Sequence, residues 1–224
     1  LHPVAHSFPT RRSSDLGYTV STPRLPGHGT NHIDFHLTGW RDWLRRSIDA
    51  YLDLRGSHGH VYLAGLSMGG VLALILASMF EVEKMALCAP GLKASNPLVP
   101  LSPLLRFLVP RLSSGYEEDS PDPERHVLAD EYWGVHTAYS VSQFYRLQRY
   151  AKRRLSKITA DTIILVSAAD RTVPASVADL IEDRISSART RRVVLARSSH
   201  VLTEGVEKDR VTEEIVRWFA QPET

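Results

Sequence analysis

The fold of this chain is decided by one stretch, HVYLAGLSMGGVLALILASMF, which occupies residues 60–80. Its first part, His60–Gly65, is typical of a short strand, and the apolar sequence from Gly69 onward predicts a helix that is buried nearly all round. The ten-residue apolar run Val71–Phe80 is about half as long as the roughly 20 residues that a membrane-spanning helix needs. The stretch therefore predicts a core strand and a core helix that are joined by a tight turn.

The turn itself, GLSMGG at Gly65–Gly70, matches the pattern G-x-S-x-G in the strand-to-helix context that holds a nucleophilic serine. Such a turn strains the serine backbone, and we expect the small residues Gly65 and Gly69 to let it close. Ser67 is the predicted nucleophile, and the Met68 N–H is the predicted oxyanion donor at the start of the helix. A phosphate-binding loop is the alternative, but Gly-Lys-Ser/Thr is missing and the turn does not fit G-x-G-x-x-G.

Strands and helices alternate along most of the chain, which predicts the α/β class. We predict further strands at Tyr18–Thr22, Lys84–Pro90, Asp161–Asp170 and Arg191–Ala196, and helices at Thr38–Leu54, Ala175–Ser187 and Glu207–Ala220. Continuous apolar strands between helices indicate a mostly parallel sheet with helices on both faces. Residues 91–157 break the alternation with clustered prolines and no clear strand, so we predict a helical cap inserted into a core formed by residues 17–90 and 158–224.

A serine hydroxyl is a weak nucleophile without a base, and this architecture predicts the chain order serine, acid, histidine. Asp170 lies where the acid belongs, just past the end of a C-terminal strand. Asp161 stands at the opposite end of that strand, and Asp179 and Asp183 have the spacing of a solvent-facing helix surface. The chain has ten histidines, and His200 is singled out because it follows the last predicted strand. Asp170 and His200 are the predicted orienting acid and general base.

Three other histidines, His28, His32 and His36, are spaced by four and offer a metal site as the rival interpretation. Their segment follows a Pro-Gly pair, contains glycine and asparagine, and lacks H-E-x-x-H, so we predict a loop near the mouth of the site and no metal. Cys88 lies within a predicted buried strand and is expected to be a packing residue. No cofactor is predicted.

Composition restricts the partners of the chain. The 224 residues carry 27 basic and 25 acidic side chains, a net charge of +2 that gives no argument for nucleic acid binding. A single cysteine excludes an intrachain disulfide and fits a reducing compartment, so we expect a cytoplasmic protein. We expect no stable membrane insertion, and the sequence does not indicate an oligomeric state.

Together these motifs resemble the small bacterial carboxylesterases and monoacylglycerol lipases of the α/β-hydrolase fold. The stretches that carry the resemblance are GYTVSTPRLPGHGT (17–30), WRDW (40–43), HVYLAGLSMGG (60–70), ILVSAADRTVP (164–174) and SSHVLTEGVEKDRV (198–211). The resemblance implies hydrolysis of short- to medium-chain carboxylic esters or of monoacylglycerols without a cofactor. It places the triad of the family on Ser67, Asp170 and His200, and one oxyanion donor on the backbone of Met68.

Several reactions share such a triad, and the sequence leaves thioesterase, peptidase, C–C hydrolase and acyltransferase activities open, together with a non-catalytic binding protein. Members of the resembled family obtain a second oxyanion donor from an LHGF-like turn near their start. Here Leu1-His2 is followed by Pro3, which has no N–H to donate. We expect residues 1–16 to be a non-native leader, and a catalytically impaired hydrolase-like protein is the alternative for this chain.

The predicted cap is expected to supply the acyl pocket. NPLVPLSPLLRFLVPRL (96–112) is rich in leucine and proline, as a lid over a lipophilic substrate would be, although ordinary packing on the core explains it equally well. Aromatic side chains of the cap are further candidates for the pocket lining: Tyr132, Trp133, Tyr139, Phe144 and Tyr145.

Overall fold

The computed structural model describes residues 17–105, 111–113, 135–187 and 189–222. Its helices are α1 (His32–Leu37), α2 (Trp40–Ser57), α3 (Met68–Ala77), α4 (Ser102–Leu105), α5 (Ala138–Lys152), α6 (Val177–Glu182) and α7 (Lys208–Ala220), with 3₁₀ turns at Val99–Leu101 and Leu155–Lys157. Its strands are β1 (Leu63–Leu66), β2 (Lys84–Cys88), β3 (Arg111–Ser113), β4 (Val135–Thr137), β5 (Asp161–Ser167) and β6 (Thr190–Leu195).

A four-stranded sheet in the order β1-β2-β5-β6 forms the centre of the fold, and all of its neighbouring strands are parallel. Every residue of β2 and β5 is buried, because helices cover both faces of the sheet. The predicted α/β class with a mostly parallel sheet is confirmed. Since parallel strands end at the same edge, the segments that follow β1, β5 and β6 are brought together there.

Alternate residues of the strands point to opposite faces of the sheet and pack into two separate apolar layers. On one face, Met85 and Leu87 of β2 pack with the buried residues of α2, α3 and α5. On the other face, Ala86 and Cys88 pack with Val211, Ile215 and Trp218 of α7. Seven consecutive residues of α3, from Val71 to Ala77, are buried, which confirms the helix predicted to be buried nearly all round.

Three predictions of local structure differ from the structure. Tyr18–Thr22 is not a strand. Most of this segment is exposed, and it has no neighbouring strand among the described residues. Its β-branched composition alone is therefore not enough to form a strand. Asn31 caps a short helix, α1, in the segment predicted to be a loop, by accepting hydrogen bonds from the N–H groups of Ile33 and Asp34. Within residues 91–157, β3 and β4 form an antiparallel pair where no strand was expected.

The other predicted elements are present, with shifted ends. The helix predicted at Thr38–Leu54 is α2, which begins after the extended residue Gly39 and continues through Gly56 to Ser57. The helix predicted at Ala175–Ser187 shrinks to the six residues of α6. The division into a core and a cap at residues 91–157 stays a prediction. None of the helices in the described part of the chain is both long and apolar enough to cross a bilayer.

Lys84 ties the sheet to the last helix from within the core. Lys84 is only 1% exposed. Its ammonium group donates hydrogen bonds to the carbonyl oxygen of Phe219, at 3.1 Å, and to the carbonyl oxygen of Gln221. These carbonyls lie at the C-terminal end of α7, where the helix dipole favours a positive charge. The ammonium also lies 5.2 Å from the ring centroid of Tyr62.

We expect Lys84→Ala to lower the free energy of unfolding by about 2–3 kcal/mol, because two partly buried carbonyl oxygens lose a charged donor. Urea unfolding of the purified protein measures this. Lys208→Ala is the matched control, since Lys208 is exposed and should change stability by less than about 0.5 kcal/mol. Equal losses in the two variants would show that Lys84 does not hold α7 to the sheet.

Candidate active site

Ser67 occupies the sharp turn between the last residue of β1 and the first residue of α3. Its backbone has φ 50° and ψ −113°, a left-handed conformation that non-glycine residues rarely adopt. The turn is held from the next strand, because the Ser67 N–H donates to Cys88 O at 2.9 Å and the Gly91 N–H donates to Ser67 O at 2.9 Å. Strain of this kind costs about 1–3 kcal/mol and is maintained only when the surroundings dictate it.

Of the two glycines predicted to let the turn close, Gly65 has a steric role and Gly69 does not. A Cβ on Gly65 would lie 2.3 Å from the backbone carbon and oxygen of Gly69, so Gly65 is required for the strand and the helix to approach. A Cβ on Gly69 would meet nothing within 4 Å, so the expectation that Gly69 must be small for the turn to close is wrong. The tight neighbour on the helix is Gly70, whose Cβ would lie 3.0 Å from Pro90 Cβ.

His200, Ser67 and Asp170 form a continuous hydrogen-bonded chain. The distance from His200 Nε2 to Ser67 Oγ is 2.8 Å, and the distance from His200 Nδ1 to Asp170 Oδ2 is also 2.8 Å. With the carboxylate ionised, Nδ1 carries the proton and donates to Asp170, which leaves Nε2 to accept from the serine hydroxyl. The structure thus brings together the three side chains that the sequence selected.

Asp170 is held as a buried carboxylate. Its side chain is 1% exposed, and its second oxygen, Oδ1, accepts from the N–H groups of Thr172 at 2.8 Å and Val173 at 3.0 Å. Burial alone would raise the pKa of Asp170, but the hydrogen bonds from His200, Val173 and Thr172 outweigh it and hold the pKa below its ordinary value. The group is therefore ionised at neutral pH and can fix the imidazole tautomer.

The loop that carries His200 is anchored by Glu207, a residue that the sequence pattern placed only at the start of a helix. One carboxylate oxygen of Glu207 accepts from the Arg197 N–H, the Ser198 N–H and the Ser198 hydroxyl, each at 2.9 Å. The hydroxyl of Ser167, at the end of β5, donates to Ser198 O at 2.6 Å. These contacts fix the backbone two residues before His200. An acidic residue at a helix start is common, and only the tertiary structure shows that this one reaches back to the loop.

The candidate oxyanion position lies beside Ser67. Met68 is the first residue of α3, so its N–H has no acceptor within the helix and is free to meet a negative charge at the positive end of the helix dipole. The position predicted to lack the second donor, Leu1–Pro3, and the whole predicted leader, residues 1–16, lie outside the described residues.

The remaining candidates are placed away from this chain of hydrogen bonds. His28 packs edge-on against Phe35 and Trp43, with ring centroids 5.0 and 5.6 Å away, and His36 lies against Tyr139. Among the described residues, no group of three or more potential metal ligands gathers at one point. Cys88 is a buried free thiol, and burial raises its pKa to about 12, as expected for a packing residue.

Of the aromatic side chains predicted to line an acyl pocket, Phe144 lies next to the serine turn. A Cβ on Gly91 would be 2.8 Å from Phe144 Cζ and 3.4 Å from the carbonyl carbon of Ser67. Tyr139 instead lines a surface groove between α2 and α5, and Tyr145 faces the guanidinium of Arg149. Tyr132, Trp133 and part of the leucine-rich stretch 96–112 lie outside the described residues.

A serine on a strand-to-helix turn, hydrogen-bonded to a histidine at the same edge of a parallel sheet, defines the α/β-hydrolase class. Comparison with known proteins agrees. The sequence profile of the Alpha/beta hydrolase family matches residues 2–214. The chain is also 31% identical over 226 residues to a thermostable monoacylglycerol lipase of Bacillus sp. strain H-257, covering 99% of this chain and 85% of that relative. The chain belongs to the α/β-hydrolase family, among its lipase- and esterase-like members.

Solved structures show the same fold. One from a study of LipS and LipT, two metagenome-derived lipolytic enzymes, superimposes with a TM-score of 0.82 at 22% identity, covering 93% of this chain and 84% of the other. The monoacylglycerol lipase of Paleococcus ferrophilus superimposes with a TM-score of 0.65 at 19% identity, covering 81% of this chain and 75% of the other.

We expect Gly65→Ala to lower the free energy of unfolding by about 1–3 kcal/mol, because the new methyl group would overlap the backbone of α3. Gly69→Ala is the matched control. It adds a methyl group in open space within a helix, so it should leave stability unchanged or raise it by up to about 1 kcal/mol. Urea unfolding distinguishes the two, and similar effects from both substitutions would contradict the steric role of Gly65.

We expect Glu207→Ala to lower kcat between about 10-fold and 100-fold with little change in KM, because a loosened loop misplaces His200 without touching substrate. Glu207→Gln keeps an acceptor oxygen and should recover part of the loss. A merely structural role would lower stability in both variants and leave kcat per folded molecule unchanged.

The pH dependence of stability provides a second readout for Glu207. The backbone N–H of Arg197, with the other donors of the loop, lowers its pKa from 4.5 to about 2. Because the folded pKa is depressed, its contribution to stability is complete above pH 4.5 and is lost as the pH falls toward 2. The difference in urea midpoint between the native protein and Glu207→Gln should shrink over that interval.

Proposed function

We propose that this protein is a serine hydrolase of carboxylic esters, with Ser67 as the nucleophile, His200 as the general base and Asp170 as the orienting acid. The observation that carries the proposal is the pair of 2.8 Å contacts that link the three side chains. A nucleophile, its base and a third group that orients the base are the parts of the acyl-transfer mechanism that recurs on unrelated folds.

Acylation begins when Ser67 Oγ attacks the ester carbonyl and its proton passes to His200 Nε2. The carbonyl electrons move onto oxygen, and the Met68 N–H donates a hydrogen bond to the resulting oxyanion, an interaction worth about 3 kcal/mol in comparable sites. As the tetrahedral intermediate collapses, the C–O bond to the alcohol breaks and His200 returns its proton to the departing alcohol. The acyl group is left as an ester of Ser67.

Deacylation repeats the sequence with water. His200 takes a proton from water as the oxygen attacks the acyl-serine carbonyl, and the carboxylic acid leaves as Ser67 regains its proton. Asp170 stabilises the imidazolium that forms in both halves of the reaction, and its low pKa keeps it ionised while it does so. Neither half consumes an oxidant or a cofactor.

The proposed substrates are short- to medium-chain acyl esters or monoacylglycerols. The support is the relative of 31% identity, which is named as a monoacylglycerol lipase. The ring of Phe144 beside the serine turn supplies an apolar surface near the position of an acyl chain. The partner of the site is accordingly a small ester, and a cytoplasmic location remains a prediction from the single cysteine.

We expect the purified protein to hydrolyse p-nitrophenyl butyrate, p-nitrophenyl decanoate and monodecanoylglycerol, and Ser67→Ala to lower kcat by at least about 10⁴-fold. Ser57→Ala, an exposed serine at the end of α2, is the matched control and should retain full activity. A fluorophosphonate probe should label the native protein and Ser57→Ala but not Ser67→Ala.

Two results would contradict the proposal. The first is hydrolysis that survives in Ser67→Ala, which would place the reaction elsewhere. The second is rapid fluorophosphonate labelling of Ser67 with no turnover of any of the three esters, which would point to a different acyl substrate such as a thioester or a peptide.

A further inference from the structure

Five arginines from two helices face one another across a surface groove. Arg41 and Arg45 lie one turn apart on α2, and Arg146, Arg149 and Arg153 follow one stripe of α5 and its C-terminal cap. The groove has a volume of about 610 Å³, and all five residues are exposed to solvent. We call it the arginine groove.

These arginines lack the carboxylate partners that three arginines of the β6 region have. Arg189, Arg191 and Arg192 of the β6 region form ion pairs at 2.7–2.8 Å with Asp161, Glu214 and Asp179. In the part of the chain that the structure describes, none of the five groove arginines lies within 4.0 Å of a carboxylate oxygen. Guanidinium groups one turn apart on a helix repel each other, so this arrangement costs stability unless an anion offsets it.

The arginine groove is strongly positive although the chain as a whole is nearly neutral. The described lining contains one carboxylate, Asp42, whose Oδ2 accepts from the Gly39 N–H at 2.9 Å. The five guanidinium groups and the one carboxylate give the groove a net charge of +4, whereas the net charge of the entire chain is +2. The remainder of the chain is therefore net negative, and a balanced total charge conceals a strongly positive groove.

Aromatic and apolar side chains accompany the arginines. The rings of Trp40 and Tyr150, both in the lining, lie 5.2 Å apart, and the guanidinium of Arg41 is 5.3 Å from the Trp40 centroid. Leu37 in the groove wall is 77% exposed, and Ile33, one turn earlier on α1, is 64% exposed. Tryptophan, tyrosine, exposed aliphatic side chains and arginine are the residues that occupy the boundary between water and lipid.

The groove shares a helix with the candidate active site. On its other side, α5 presents Phe144 next to the serine turn, and Gln148 donates a hydrogen bond from Nε2 to the carbonyl of Gly91. Gly91 in turn donates to Ser67 O. A surface bound at the arginine groove would therefore lie one helix away from Ser67.

We propose that the arginine groove docks the protein onto the surface of an anionic lipid bilayer, with the guanidinium groups on lipid phosphates and Leu37 and Ile33 in contact with the acyl boundary. A free phosphate offers the same anion chemistry, but it would engage one or two of the arginines and leave the exposed leucine and isoleucine in water. The benefit for hydrolysis, delivery of lipid esters to Ser67, rests on the proposed function, whereas the docking itself does not.

The test is co-sedimentation with vesicles of phosphatidylcholine alone or with about 30 mol% phosphatidylglycerol, at increasing sodium chloride. We expect binding to the anionic vesicles only, and a loss of that binding as salt screens the arginines. Arg146→Gln/Arg153→Gln should bind about 30-fold more weakly, about fivefold for each charge removed. The matched control, Lys208→Gln/Arg217→Gln, removes two charges from α7 on the opposite face of the sheet and should bind as the native protein does.

Several outcomes would overturn the proposal. They are equal binding to neutral vesicles, no binding to either kind, an equal loss in the control variant, and release by millimolar glycerol phosphate or by a single-stranded oligonucleotide. Melting temperatures that match the native protein show that both variants are folded. Ser67→Ala is expected to bind vesicles as the native protein does. Vesicle binding therefore tests the docking proposal independently of the hydrolase proposal, and ester hydrolysis tests the hydrolase proposal independently of docking.

Discussion

The candidate active site requires the backbone of Ser67 to be held at φ 50° between strand β1 and the buried helix α3. A strained turn of this kind persists only if its ends cannot move apart. The apolar surfaces of β1, β2 and α3 fix those ends, and the hydrogen bond from the Ser67 N–H to Cys88 O fixes the turn between them. The missing Cβ of Gly65 lets the strand and the helix meet closely enough for this to happen.

The parallel sheet brings the strained serine turn together with the other residues of the candidate site. Ser67 and His200 are 133 residues apart in the chain, yet their side chains are 2.8 Å apart, because both follow strands that end at the same sheet edge. The three proposed catalytic side chains are then oriented by neighbouring groups that form hydrogen bonds to them or to their loops. The Thr172 and Val173 N–H groups orient Asp170, and the Glu207 carboxylate holds the loop that carries His200. Preorganisation of this kind means that little rearrangement accompanies the development of charge.

Helix α5 connects this site to the electrostatics of the protein surface. Its Phe144 side lies against the serine turn, while its arginine side faces the arginines of α2. Local density of charge, rather than the nearly neutral total, decides what such a surface attracts, because fields fall off within about 10 Å in physiological salt. The chemistry proposed for the interior and the surface contact proposed for the exterior thus depend on the same helix.

The sequence alone predicts the α/β class and selects Ser67, Asp170 and His200, because apolar periodicity and the order of motifs along the chain are local properties. It did not predict α1, which depends on a side-chain cap at Asn31, and it wrongly predicted a strand at Tyr18–Thr22, since a strand exists only with a neighbour. It assigned a steric role to Gly65, which the structure bears out, and to Gly69, which has none; the other tight position is Gly70. That Glu207 holds the loop of His200, and that five arginines line one groove, is visible only in the folded chain. Glu207 contacts groups nine and ten residues before it, across a loop, and the five arginines come from two helices that are far apart in the chain. Apolar periodicity encodes neither arrangement.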